Sequence, residues 1–226
     1  MSKIKRVVSI GAHSLDAEVL GGPIMLKYAR EGARCTYIHV TQGRLEDANA
    51  TEKEKEDYLK ELLNQNQRAA SKLGGDTIWL GYVSSNMPSL EEFAARLERY
   101  FVEEEVELVV THWRGSMHPR HINTHDAVVT AVKRLREKGN PIKLVYGENF
   151  EDLVGFIPQA YFKLEQDEVD QWYSGLREYS VFQGEINDFP YLPYYTTTGK
   201  VRQIESNNSG YTVAYMYASL IENQLW

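Results

Sequence analysis

The sequence predicts a doubly wound α/β fold: a mostly parallel sheet of about five strands with helices on both faces, continued by a C-terminal α/β extension. Two observations carry this. Short β-branched runs alternate with longer stretches of helical periodicity, the pattern of right-handed βαβ units. The 226 residues, 42% hydrophobic and 25% charged, suit one sizeable domain over 1–226, and no linker, repeat or low-complexity segment divides them.

Arg6 to Gly11 reads as a buried first strand, by length and β-branching. A helix follows from Ala17 to Arg30, with Gly21, Gly22 and Pro23 near its start, where Pro does least harm. Arg34 to Thr41 is a second strand and Gln42 to Thr51 a polar loop. From Glu52 to Leu73 the positions Leu59, Leu62, Leu63, Asn66, Ala70 and Leu73 share one helical face, which Gly74 and Gly75 end. Thr77 to Leu80 is a third strand. Ser89 and Glu92 have capping-box spacing, opening a helix with Phe93, Ala94, Leu97 and Phe101 on its apolar face. Glu107 to Thr111 is a fourth strand, His112 to Asn123 a loop, Thr124 to Lys138 a helix stopped by Gly139 and Pro141, and Ile142 to Tyr146 a fifth strand. Beyond Asn149 the pattern loosens. Gly155 to Leu164 is expected to be extended and Asp167 to Val181 helical. Phe189 to Thr198, rich in Pro, Tyr and Thr, is expected to be irregular, and a last helix is expected over Tyr211 to Asn223.

A formal charge of −7 without a Lys/Arg block argues against nucleic acid or an anionic membrane as partner. The single cysteine, Cys35, rules out an internal disulfide framework and favours a reducing, cytoplasmic setting. The basic start, followed by a short apolar run broken at His13, reads as a strand and not a signal peptide. Tyrosine is abundant, at 15 residues. It serves packing and interfaces, or a polar-aromatic pocket of the kind sugars use. The Tyr-rich stretch after Phe189 leaves open a homo-oligomer contact or a pocket wall.

Two corners concentrate the chemistry. Ala12-His13-Ser14-Leu15-Asp16-Ala17-Glu18 follows the first strand, and His118-Pro119-Arg120-His121 lies beyond the fourth. His13, Asp16 and His121 are the donor types of an open zinc site, with a fourth position left for water. Ligands of open α/β sheets bind beyond the carboxyl ends of the strands, where the strand order reverses. Flanking first and fourth strands would bring the two corners together there. His112 is a supporting loop residue, His39 a mid-strand structural one, and His125 supporting or at the surface. The His121/His125 spacing lacks the Glu that would make it a protease motif.

The first corner resembles the A-H-P-D-D-x-E signature of the PIG-L/LmbE-like zinc-dependent deacetylases, and Thr111-His112 with His118-Pro119-Arg120-His121 resembles that family's T-H…H-P-D-H stretch. Gly43, Ala69-Ala70…Leu73-Gly74, Leu80-Gly81-Tyr82, Glu148-Asn149-Phe150-Glu151-Asp152 and Gly155-Phe156-Ile157-Pro158 fit as well. The resemblance implies a Rossmann-like fold and removal of acyl groups from amines, typically on N-acetylglucosamine-containing substrates. It implies Zn²⁺ held by His13, Asp16 and His121. It makes His118 the residue that stabilises the tetrahedral intermediate and protonates the leaving amine. Two positions depart from the family. Its base Asp is Leu15 here, and its orienting Asp is Arg120; Ser14 also replaces Pro. A positioned base contributes about 10²- to 10⁴-fold, so the base is expected to be lost or relocated to Glu18, Glu46 or Asp47. At its position Glu18 is also a natural helix-N-terminal carboxylate. Arg120 is either a clamp for an anionic substrate group or a surface residue, and His112 is a second substrate-side candidate. The expected function is hydrolysis of an N-acylated amino sugar or related small molecule. The rival is a zinc-containing binding protein with little or no turnover. A dinucleotide-binding role fails for want of G-x-G-x-x-G after the first strand.

Overall fold

The computed structural model describes residues 4–43, 45 and 49–218. The elements run β1 (Arg6–Gly11), α1 (Asp16–Arg30), β2 (Arg34–Gln42), α2 (Glu52–Lys72), β3 (Asp76–Val83), α3 (Leu90–Glu103), β4 (Leu108–Thr111), α4 (Pro119–Glu137), β5 (Lys143–Gly147), β6 (Ala160–Lys163), α5 (Gln166–Leu176), α6 (Tyr191–Glu205) and β7 (Thr212–Tyr217). They form a seven-stranded sheet in the order β3-β2-β1-β4-β5-β7-β6. The first five strands are parallel, and β7 pairs antiparallel with both β5 and β6. The predicted doubly wound sheet is present, and the C-terminal extension adds two strands to it.

β1 and β4 are neighbours, and the winding reverses between them. Both are fully buried, as strands covered on two faces must be. On one face α1, α2, α5 and α6 pack around Met25, Leu73, Trp172 and Tyr195. On the other, α3 and α4 pack around Phe93, Leu97, Val128 and Val132. The capping boxes Thr51/Glu54 and Ser89/Glu92 start α2 and α3.

Three expectations are corrected. Phe189–Thr198 is not irregular: α6 begins at Tyr191 and holds Pro193 in its first turn, where a missing N–H breaks no intrahelical bond. Residues 212–217 are strand β7 and not helix, because β5 and β6 supply pairing partners on both sides; residues 219–223 of that expectation lie outside the described residues. Finally, α4 begins at Pro119 and not Thr124, so His121 stands on a helix and not in a loop. Among the described residues no helix is long and apolar enough to cross a membrane.

Candidate active site

The first corner depends on Gly11. A Cβ there would stand 2.3 Å from the Ala17 nitrogen, so the chain can fold back into α1 only with glycine at that point. Leu15 caps α1 at φ 82° with no side-chain cap, a conformation that costs a non-glycine residue about 1–3 kcal/mol. The Leu15 side chain is 5% exposed and belongs to the apolar core. Asp16 Oδ2 accepts the His13 N–H at 2.8 Å and lies 3.1 Å from His13 Nδ1.

The second corner leaves β4 through His112. That ring is fully buried with both nitrogens engaged: the Ala12 N–H donates to Nε2 at 2.9 Å, and Nδ1 donates to Asp152 Oδ2 at 2.7 Å. His112 is therefore a strut between the two corners, which corrects its candidacy as a substrate-binding residue. Gly115 lets this loop press on the segment after β5; a Cβ there would meet the Val154 carbonyl at 1.7 Å. His118 is the N-cap of α4, its Nδ1 accepting the Arg120 N–H at 3.3 Å, and Pro119 takes the first helical position. His121, on that first turn, donates from Nδ1 to Asp152 Oδ1 at 2.7 Å.

The third contribution comes from the turn after β5. Asp152, fully buried, holds His112 and His121 with one oxygen each. Asn149 Nδ2 donates to Asp16 Oδ1 at 3.3 Å. Glu151 Oε2 lies 3.7 Å from His121 Nε2, on a side chain 36% exposed. None of these three was singled out from the sequence for a role. The signal available was an Asn-Phe-Glu-Asp run directly beyond a parallel strand that neighbours β4.

These corners converge. His121 Nε2 is 3.4 Å from Asp16 Oδ2, and the rings of His13 and His118 lie 5.4 and 4.8 Å from that of His121. Among the described residues two groups of side chains have ligand atoms mutually within 4.8 Å, His13–His118–His121 and Asp16–His112–His121, and His121 belongs to both. With Nδ1 committed as donor to Asp152, His121 Nε2 is the nitrogen left to take a proton or meet a cation; it is buried without a hydrogen-bond partner and faces carboxylate oxygens. Only a proton or a cation satisfies that arrangement. Two ligands on a tetrahedral zinc with bonds of about 2.0–2.1 Å stand about 3.3 Å apart. The observed 3.1 Å (His13–Asp16) and 3.4 Å (His121–Asp16) bracket that spacing. The residues present fit a divalent cation.

The electrostatics agree. Burial lowers the His121 pKa, but Asp16 and Asp152 outweigh it and raise the value to about 10, so the pocket is negative where a cation would sit. Burial would raise Asp152, yet His112 and His121 hold it at about 2. Burial, then His13 and His121, push His118 down to about 4, which keeps that ring neutral. Neutral, with Nδ1 accepting, it presents Nε2–H.

Two expected residues do not join the cluster. Glu18, the expected base, is fully buried with both oxygens 3.1 Å from His39 Nε2, so it is corrected to a structural carboxylate. The Arg120 guanidinium turns along α4 to Asn123 Oδ1 at 2.9 Å, and the cluster receives its main-chain N–H instead. Glu46 and Asp47 lie outside the described residues.

A groove of ≈ 510 Å³ is lined by Phe182, Asn187, Phe189, Tyr191 and Pro193, among others. Phe150, next to Glu151, stacks on Phe189 at 3.8 Å and meets Tyr191 edge-on. Burial raises the Tyr191 pKa, and the charges of Glu151 and Asp16 add to it.

The family described as PIG-L, GlcNAc-PI de-N-acetylase, matches residues 8–132. Among solved structures, GalB, the 4-carboxy-2-hydroxymuconate hydratase from Pseudomonas putida KT2440, is similar at 16% identity, over 98% of this chain and 100% of its own, with TM-score 0.75. The zinc-inhibited form of teicoplanin deacetylase Orf2 is similar at 17% identity, over 95% and 99%, with TM-score 0.73. N,N'-diacetylchitobiose deacetylase from Pyrococcus horikoshii is similar at 15% identity, over 94% and 83%, with TM-score 0.72. Likeness at these identities establishes the shared fold. No curated protein matches.

Proposed function

We propose, from the premise that this chain belongs to the PIG-L, GlcNAc-PI de-N-acetylase, family, that it is a zinc-dependent amide hydrolase. It removes an acetyl or related acyl group from an amino sugar or a related small molecule. The observation that carries this reading is the buried, unpartnered Nε2 of His121 facing Asp16 at 3.4 Å, with His13 on the same carboxylate. A zinc ion held by His13, Asp16 and His121 would polarise the acyl carbonyl and bring a water pKa down toward ~7.

The other roles follow from the hydrogen bonds. Asp152 fixes the ring plane and tautomer of His121, as carboxylates behind metal-bound imidazoles do. His118, its Nδ1 occupied by the Arg120 N–H, directs Nε2–H toward the carbonyl oxygen, where charge develops as water adds. The aromatic groove receives the sugar or its substituent, and ≈ 510 Å³ is within the usual size of a small-molecule site. Two structural relatives are an N,N'-diacetylchitobiose deacetylase and a teicoplanin deacetylase, which directs the first assays to N-acetylated sugars and N-acyl glycosides.

The test is release of acetate from a panel of N-acetylated amino sugars by zinc-loaded protein, against a His121→Ala control. Release above the control is expected, and none would refute the reading. A second reading, a zinc-containing protein that binds such sugars without turnover, is favoured by the apolar Leu15 in the core. Saturable sugar binding with no acetate released would select it.

A further inference from the structure

We infer that Glu151 is the general base of this site, standing in for the carboxylate that position 15 lacks. The inference rests on the hydrolase reading above. Asp16 is committed to His13, Asn149 and the ring of His121. Asp152 spends one oxygen on His112 and the other on His121. Glu18 is sealed against His39, and Glu148 is bound to Arg202 through both oxygens. Glu151 differs from all of these. Its carboxylate reaches 3.7 Å from the unpartnered His121 Nε2 and is 36% exposed, so it borders both the cluster and the route by which water and substrate arrive.

Its placement is built. The Glu151 N–H donates to Asn149 Oδ1 at 3.1 Å while Asn149 Nδ2 donates to Asp16 Oδ1, so one side chain ties the Glu151 backbone to the candidate ligand. On the groove side Phe150 is clamped against Phe189. His118 cannot take the role: with Nδ1 accepting the Arg120 N–H, its Nε2 carries the hydrogen and has no lone pair to offer water.

The proton inventory then closes on one residue. Glu151 takes a proton from water as the water oxygen bonds to the acyl carbon, and His118 Nε2–H holds the carbonyl oxygen. As the C–N bond breaks, nitrogen keeps the bonding pair and receives the proton from Glu151. The freed carboxylic acid passes its remaining proton to the amine in solution. The products are a carboxylate and an ammonium, and Glu151 returns to its starting state.

The test compares wild type and Glu151→Gln, both zinc-loaded, by three measurements: zinc affinity against a competing chelator, acetate affinity by calorimetry, and hydrolysis of N-acetylated sugars. Glu151→Gln is expected to keep the wild-type zinc affinity. It should bind acetate several-fold more tightly, because a negative charge beside the open position is gone. It should lose about 10²- to 10⁴-fold in kcat. A zinc affinity weakened more than about tenfold, the loss typical of metal-site residues, would make Glu151 a ligand and overturn the inference. Unchanged acetate affinity would remove Glu151 from the open position, also overturning it. Hydrolysis by the wild type that is undiminished in the variant overturns the base alone. A wild type that hydrolyses nothing overturns the hydrolase reading, and the base with it.

Discussion

Asp16 and Glu18 stand two residues apart on the first turn of α1, each against a histidine, and they do opposite things. Glu18 and His39 are fully buried; His39 Nε2 meets both carboxylate oxygens at 3.1 Å, and Nδ1 has Thr77 Oγ1 at 3.2 Å. The ionisable atoms of that pair are all used, and it fastens α1 to the sheet. Asp16 faces the other way, toward a His121 nitrogen that has no hydrogen-bond partner and toward a half-exposed Glu151. Composition does not separate the two pairs. What separates them is satisfaction: a buried polar group left unpaired demands an occupant, and a paired one demands nothing.

The comparison breaks most sharply at His121. His121→Ala should abolish stoichiometric zinc binding and reduce hydrolysis to background, read by metal analysis after dialysis. Retained zinc would mean that the unpaired nitrogen marks nothing. Next, His39→Leu should leave the zinc stoichiometry of the folded protein unchanged but cost about 3–5 kcal/mol of stability, the penalty for removing one partner of a buried pair. Urea denaturation reads it, and a midpoint at the wild-type position would show that the inner pair fastens nothing. Asp152→Asn leaves the ligands in place but blunts one acceptor behind His121. Zinc affinity should fall by about 10- to 100-fold, and a chelator competition that shows no change would remove Asp152 from the site. The smallest effect belongs to Arg120→Ala, which keeps the main-chain N–H that His118 uses. Stability should stay within about 0.5 kcal/mol, and a large loss of hydrolysis would instead give the guanidinium a role in holding substrate.

The parallel half of the fold was legible because its signals are local. β-Branched runs, the capping box at Ser89 and stops at Gly74 and Gly139 need no knowledge of distant partners. The C-terminal third was not. The strand Thr212–Tyr217 is fixed by pairing with β5 and β6, and its aromatic alternation reads equally as one face of a helix. Pro193 and the Thr196–Thr198 run suggested a break, yet α6 absorbs the proline in its first turn and continues. The two metal-type corners were visible as residue types beyond the first and fourth strands, and the adjacency of β1 and β4 brings them together. Direction was not visible. Nothing in Asp16-Ala17-Glu18 says which carboxylate looks outward; that follows from α1 geometry, which turns residues two apart by about 200°. Glu151 and Asp152 sit in a turn with no periodicity, and their importance emerges only when the His112 and His121 rings are traced to their partners.

The central claim is that His13, Asp16 and His121 close on one divalent ion. X-ray absorption at the zinc edge of protein loaded with one equivalent tests it directly. Two imidazole nitrogens and carboxylate or water oxygens in a single shell at about 2.0–2.1 Å are the predicted result, and His121→Ala, loaded in the same way, should lose that shell. A zinc shell without imidazole scattering, or a spectrum unchanged by that substitution, would contradict it.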